Sequence, residues 1–182
     1  MIKRELLSEE QISIILNRLA CQLVENHGDF SETVLIGLQP RGVPVLRRLV
    51  ELLEKQGIAN IRQGLLDITF YRDDFRRRDS PLEPNRTRID VLLENKRVVF
   101  VDDVLFTGRS VRAALDAIHS FGRPKDIELL VLIDRRFSRE LPIQPDYTGK
   151  RVDSIASERV LVKWKEEEGH NIVYLIRPQD EQ

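Results

Sequence analysis

Apolar residues recur at helical spacing through Ile12, Ile15, Leu16, Leu19 and Leu23, directly after Ser8-Glu-Glu-Gln11. A Ser followed three residues later by Gln has the order of a capping box, so the pattern predicts a helix over about 8–26 that ends near Gly28. Next come an apolar run over Thr33–Leu38, which predicts a buried strand, a helical pattern over Gly42–Lys55 closed by Gly57, and a strand over Gly64–Phe70. Between Tyr71 and Arg88 the periodicity vanishes among Arg72, Asp73, Asp74, Arg76, Arg77, Arg78, Pro81 and Pro84, as in a long loop or flexible hairpin. Ile89–Leu92 suggests a short strand, Arg97–Asp102 a central one, Arg109–Phe121 its helix and Ile127–Ile133 another strand. Residues 134–157, punctuated by Pro142, Pro145 and Gly149, read as irregular; Arg159–Trp164 and Asn171–Ile176 read as closing strands around a turn at Glu166–Gly169. Alternating strands and helices imply an α/β fold, a mostly parallel central sheet with helices on both faces. In such sheets ligands sit outside the carboxyl ends of the strands.

The chemistry concentrates in Val98-Val-Phe-Val-Asp-Asp-Val-Leu-Phe-Thr-Gly-Arg-Ser110. Four apolar residues run into two adjacent acids, then into a short turn that opens a helix. Free N–H groups and the helix dipole favour an anion there. Two carboxylates beside such a nest suit a ligand with paired hydroxyls and a phosphate, such as a ribose 5-phosphate. G-x-x-x-x-G-K-[ST], G-x-G-x-x-G and G-x-S-x-G are all absent, which argues against a P-loop nucleotidase, a dinucleotide fold and a hydrolase elbow.

Composition narrows the partners. The chain has 182 residues, 41% apolar, 6% aromatic and 32% charged, with a formal net charge of −1. That length suits one domain with a sizeable core. The balanced charge gives no general pull toward nucleic acid or membrane, so a nucleic-acid surface would need local segregation of charge. The single Cys21 allows no intrachain disulfide, and its position near Leu19 and Leu23 suggests a packing role. The scattered His27, His119 and His170 suggest no metal site. The charged start and the lack of a long apolar run fit a cytoplasmic protein without a membrane span.

Val98–Ser110 resembles the signature of the type I phosphoribosyltransferases, which bind phosphoribosyl pyrophosphate (PRPP). The resemblance implies their fold, with a flexible lid at about 71–88 and a small hood at about 134–157. It implies that Asp102 and Asp103 hold the ribose hydroxyls and help place the magnesium-bound substrate. Val104, Leu105 and Phe106 lead to Thr107, Gly108, Arg109 and Ser110, which would cradle the 5-phosphate. Pro40, Arg41 and Gly42 match the pyrophosphate loop, which in the family often carries a cis bond that is not X–Pro; the matching bond is Pro40–Arg41. Tyr71 and Arg72 would meet the pyrophosphate from the lid. Ile133, Asp134, Arg135 and Arg136 are the expected base contacts.

Phe106 stands where the 6-oxopurine transferases carry an acid that hydrogen-bonds the purine imidazole, which Phe cannot do. Asp67-Ile-Thr-Phe-Tyr-Arg-Asp-Asp74, the signature, and Arg139-Glu-Leu-Pro-Ile-Gln-Pro-Asp-Tyr-Thr-Gly-Lys150 together resemble the bifunctional PyrR family, pyrimidine-operon attenuation regulators that are also uracil phosphoribosyltransferases. The resemblance implies uracil, PRPP and UMP as ligands, Mg²⁺ carried by PRPP, a homo-oligomer (dimer or tetramer), and pyrimidine-operon leader RNA as a partner. Asn17, Cys21, Arg139 and Gln144 are the matching RNA-contact positions; Asn17 and Cys21 replace a Thr and a His, and Gln144 replaces an arginine. Residues 135–138 also hold one residue more than the regulators do. Three principal roles stay open: a uracil transferase, an RNA-binding regulator, and a transferase for another base such as orotate or a purine.

Overall fold

The computed structural model describes residues 2–69 and 86–178, apart from the side chains of 167 and 168. The elements run β1 (Ile2–Leu7), α1 (Glu9–His27), β2 (Thr33–Gln39), α2 (Gly42–Lys55), β3 (Arg62–Asp67), β4 (Arg97–Leu105), α3 (Arg109–Ile118), β5 (Asp126–Arg136), β6 (Tyr147–Asp153), β7 (Arg159–Lys163), α4 (Lys165–Glu168) and β8 (Ile172–Arg177), with a 3₁₀ turn at His119–Phe121 after α3.

Five strands form a parallel sheet in the order β3-β2-β4-β5-β6. The chain builds outward to β3 on one side of β2 and then to β4, β5 and β6 on the other. The order therefore reverses between β2 and β4, and the loops that leave these two strands part there to form a crevice. One face is covered by α1 and α2, whose Leu16, Leu19, Leu23, Leu46, Leu49 and Leu53 meet Val99, Val101, Leu130 and Leu132. The other is covered by α3, whose Val111, Ala114 and Ile118 meet Val98, Phe100, Leu129 and Val131. A second, antiparallel sheet, β1-β8-β7, joins the two ends of the described chain. Among the described residues no helix is long and apolar enough to cross a membrane.

The capping box forms as the sequence implies: Ser8 Oγ accepts from Gln11 N (3.3 Å) while Ser8 N donates to Gln11 Oε1 (3.0 Å). Several other expectations need correction. The 134–157 stretch is not irregular throughout: β5 continues to Arg136, and β6 pairs with it in parallel from Leu130↔Tyr147 to Arg136↔Asp153. An N-terminal strand exists that the pattern did not reveal. Ile89–Leu92 forms no strand; the nearest pairing is an isolated Leu65↔Arg88 bridge, and Leu92 is exposed. Strand β4 outlasts Asp102, because β5 still pairs with Val104 and Leu105 after β2 has turned away. Cys21 is exposed rather than packed, since the buried positions 16, 19, 20, 23 and 27 lie on the other side of α1.

Candidate active site

A crevice of about 560 Å³ opens where β2 and β4 part. Its floor is Asp102 and Asp103, both buried near the end of β4. Asp102 Oδ1 accepts from the backbone N of Asp103 at 2.9 Å. Burial pushes the Asp103 carboxyl above its ordinary value, and the Arg41 charge opposes that shift. A desolvated acid facing a crevice favours a cationic or hydrogen-bond-donating ligand.

Two helices begin at this crevice; at α3, Thr107 Oγ1 accepts from the backbone N of Arg109 (3.4 Å). Helix α3 starts after Gly108 (φ 94°) with no side-chain cap from that residue and no acid in its first turn; α2 starts after Arg41 in the same way. Helix α1, which starts elsewhere, has both its capping box and two acids. Uncapped N–H groups with a favourable dipole are anion sites. The two phosphate groupings of one ligand could therefore be held at opposite ends of the crevice. Only glycine suits position 108, because of its positive φ and because a Cβ would lie 3.2 Å from Ile143 Cδ1.

Pro40 and Arg41, expected in a pyrophosphate loop, line the same crevice. The cis bond is Gln39–Pro40, not the expected Pro40–Arg41. The tertiary amide before proline makes that position the cheaper one for a cis bond. Gln39 donates from Nε2 to the Arg86 carbonyl (3.1 Å), whereas its buried Oε1 has no partner among the described residues. Tyr71 and Arg72, and most of the lid, lie outside the described residues. Where the described chain resumes, Thr87 Oγ1 accepts from Asp67 N (3.0 Å).

The Phe106–Arg109 turn is strapped from outside. Glu140 N donates to the Thr107 carbonyl (3.0 Å), and the Glu140 carboxylate accepts from Arg109 (2.7 Å). Arg139 donates to the Phe106 carbonyl and to Asp134 Oδ1 (2.5 Å). Opposite the acids, the edge of the small sheet closes the crevice: residues 156–162, leading into and along β7, line it. Because β7 pairs only with β8 among the described residues, its other edge carries backbone groups outside that sheet ladder.

The phosphoribosyl transferase domain family matches residues 3–167. A "Bifunctional protein PyrR" from Gloeothece citriformis is 47% identical, over 95% of this chain and 97% of its own. Proteins of the same name from Synechocystis (44%; 95% and 96%) and Deinococcus radiodurans (41%; 98% and 97%) are similar. The chain belongs to the PyrR family of phosphoribosyltransferases. Among solved structures, hypoxanthine phosphoribosyltransferases from Trypanosoma cruzi (TM-score 0.71, 17% identity, 96% of this chain and 91% of that one) and Staphylococcus aureus (0.69, 17%, 96% and 93%) share the fold.

Within this PyrR-family fold, residues 102–110, Pro40 and Arg41 are brought together around one crevice, as is Arg135, while Gly42 packs beneath the loop against β4. Ile133 is buried in the core. Asp134 and Arg136 instead line a second groove with Arg139, Gln144 and Arg151. Asn17 and Cys21 sit exposed on α1. The sequence did not point to the β7 edge. Its five residues read as an ordinary closing strand, and only the order of the small sheet shows that one edge faces the crevice.

Proposed function

We propose that the protein transfers the phosphoribosyl group of PRPP to uracil, giving UMP and pyrophosphate. The observation that carries this reading is the single crevice in which the Asp102–Asp103 pair lies between two helix N-termini. That arrangement suits PRPP, with ribose hydroxyls at the acids, the 5-phosphate at Thr107–Ser110 and the pyrophosphate at Pro40–Gly42. The base then faces β7. A strand edge presents alternating N–H and C=O groups, complementary to the carbonyl and N3–H edge of uracil. Phe106 offers no acceptor for a purine imidazole. Asp134, an expected base contact, is held by Arg139, with Arg151 3.9 Å away, so Arg135 is the base-facing member of the 133–136 group.

No group of three His, Cys, Asp or Glu residues among the described residues could hold an ion alone. Magnesium usually takes one or two carboxylates, substrate phosphates and waters. Asp102, Asp103 and the unpartnered Gln39 Oε1 fit such a substrate-borne ion. When bound, it would neutralise charge on the leaving pyrophosphate. The chain's own part is positioning: the helix ends fix both phosphate groupings, the acids orient the ribose, and Arg41 adds charge complementary to the leaving group.

A second role, UMP-responsive RNA binding, has support from the second groove. It gathers Arg136, Arg139 and Arg151 beside Gln144, and Phe137 stands exposed next to it. Arginines with an accessible aromatic suit single-stranded RNA. UMP production from uracil and PRPP, lost in Asp103→Asn, tests the enzymatic reading.

A further inference from the structure

The crevice contains a buried cation with no carboxylate partner among the described residues. Arg135 is 4% exposed, and its guanidinium lies 3.8 Å from the centre of the Phe106 ring. Nε donates to Ser154 Oγ (2.8 Å), and Nη2 donates to the carbonyls of Ile155 (3.1 Å) and Glu158 (2.8 Å). All three acceptors are neutral. The Glu158 carboxylate is engaged elsewhere, by Arg177 and the Ile155 N–H. The Asp134 carboxylate is taken by Arg139. Nη1 has no partner among the described residues, and Arg135 lines the crevice that holds Asp102 and Asp103. Burial holds the guanidinium below its ordinary pKa, with Glu158 opposing the shift. A desolvated charge without a counterion is costly, and here the ring and three hydrogen bonds lock it with one nitrogen left over.

Transfer to uracil calls for such a group. Uracil N1 is a poor nucleophile until its proton leaves, and the resulting charge spreads onto the two carbonyl oxygens. We propose that Arg135 is a catalytic residue that donates from Nη1 to a uracil carbonyl oxygen and stabilises the pyrimidine anion as N1 attacks. The N1–C1′ bond forms while the C1′–O bond to pyrophosphate breaks. The bonding pair leaves on pyrophosphate, and the N1 proton passes to solvent. This inference rests on the uracil reading above and adds to it a preorganised charge opposite the developing anion.

The test compares uracil with 5-fluorouracil, whose N1 proton is more acidic, in wild type, Arg135→Lys and Arg135→Gln, each checked for folding by circular dichroism. Arg135→Gln is expected to lower kcat on uracil by roughly 10²-fold, the usual effect of deleting one charge-stabilising donor. The loss on 5-fluorouracil should be much smaller, the PRPP KM unchanged, and Arg135→Lys intermediate. Equal losses on both bases would overturn the proposal, because a merely structural role is blind to base acidity. Should Arg135→Gln fail to fold, ultraviolet titration of 5-fluorouracil bound to wild type with ribose 5-phosphate and pyrophosphate decides. Its N1 pKa should fall by about one unit or more, and no shift refutes the assignment. A wild type that makes no UMP refutes the uracil reading itself, so the two failures are distinct.

Discussion

Gly42→Ala tests whether the start of α2 must press against β4 for the site to exist. A Cβ on Gly42 would lie 2.1 Å from the Val101 carbonyl oxygen, 3.0 Å from its carbon and 3.2 Å from Asp102 Cα. All three are backbone atoms of the central strand, so no side chain can swing aside. Relief needs the closest gap to open from 2.1 to at least 3.0 Å, a shift of about 0.9 Å between the start of α2 and the strand that carries the acids. Overpacking a tight core costs about 1–3 kcal/mol, and rigid backbone on the strand side places this substitution near 3 kcal/mol. Misplacing reacting groups by about 1 Å can cost roughly 10²-fold in rate. Urea unfolding should show the stability loss, and kcat/KM for PRPP at a temperature where the variant stays folded should show the catalytic one. A variant with wild-type turnover would refute the idea that this contact sets the geometry of the site. Lost stability with unchanged turnover would do the same.

Other outcomes follow from the same geometry. Asp103→Asn should keep the fold, because it removes a buried charge, while lowering turnover by orders of magnitude; undiminished activity would remove this acid from the mechanism. His27 is buried between Thr33 Oγ1 (2.9 Å), Glu128 Oε2 (2.9 Å) and Tyr147 OH (3.1 Å). Burial lowers its pKa from 6.5, against the opposing pull of Glu128. The unfolded chain therefore binds more protons than the folded one in the window just below pH 6.5. The contribution to stability is full above that value and is lost as pH falls toward the folded pKa. Urea midpoints should drop between pH 7 and 5.5 more steeply in wild type than in His27→Gln; parallel curves would acquit this histidine. Leader RNA should bind more tightly with UMP and more weakly with added salt; a gel shift that does not distinguish leader from unrelated RNA would count against the regulatory role.

Much of the fold was legible because local signals agreed with it. The capping box, the amphipathic 42–55 repeat and the apolar run into Asp102 each describe a segment whose own residues decide its state. Strand β1, Ile-Lys-Arg-Glu-Leu-Leu, escaped because three of its six residues are charged and its partner β8 lies at the far end of the chain. Strand β6, Tyr-Thr-Gly-Lys-Arg-Val-Asp, reads as a loop; it is a strand because the edge of β5 is there to pair with it. The Asp-Asp and Thr-Gly-Arg-Ser chemistry was readable because adjacent residues carry it. The placement of Arg135 and Arg136 was not. Alternation along a strand separates the two, but the sequence does not say which one turns to the crevice. That choice follows from Ser154, just beyond the end of β6, accepting from Arg135, and from Asp153, the last residue of β6, accepting from Arg136 on the outside. The β7 edge was hidden for the same reason, since an exposed edge belongs to sheet order rather than to any residue.

The most direct measurement is phosphoribosyl transfer from PRPP, with Mg²⁺, to uracil, orotate, hypoxanthine and guanine in parallel, following nucleotide and pyrophosphate together. The expected result is UMP and pyrophosphate in equal amounts from uracil, with little product from the other bases. Efficient turnover of hypoxanthine or guanine would contradict the part assigned to Phe106. Absence of product with every base would contradict the assignment of this crevice as a transferase site.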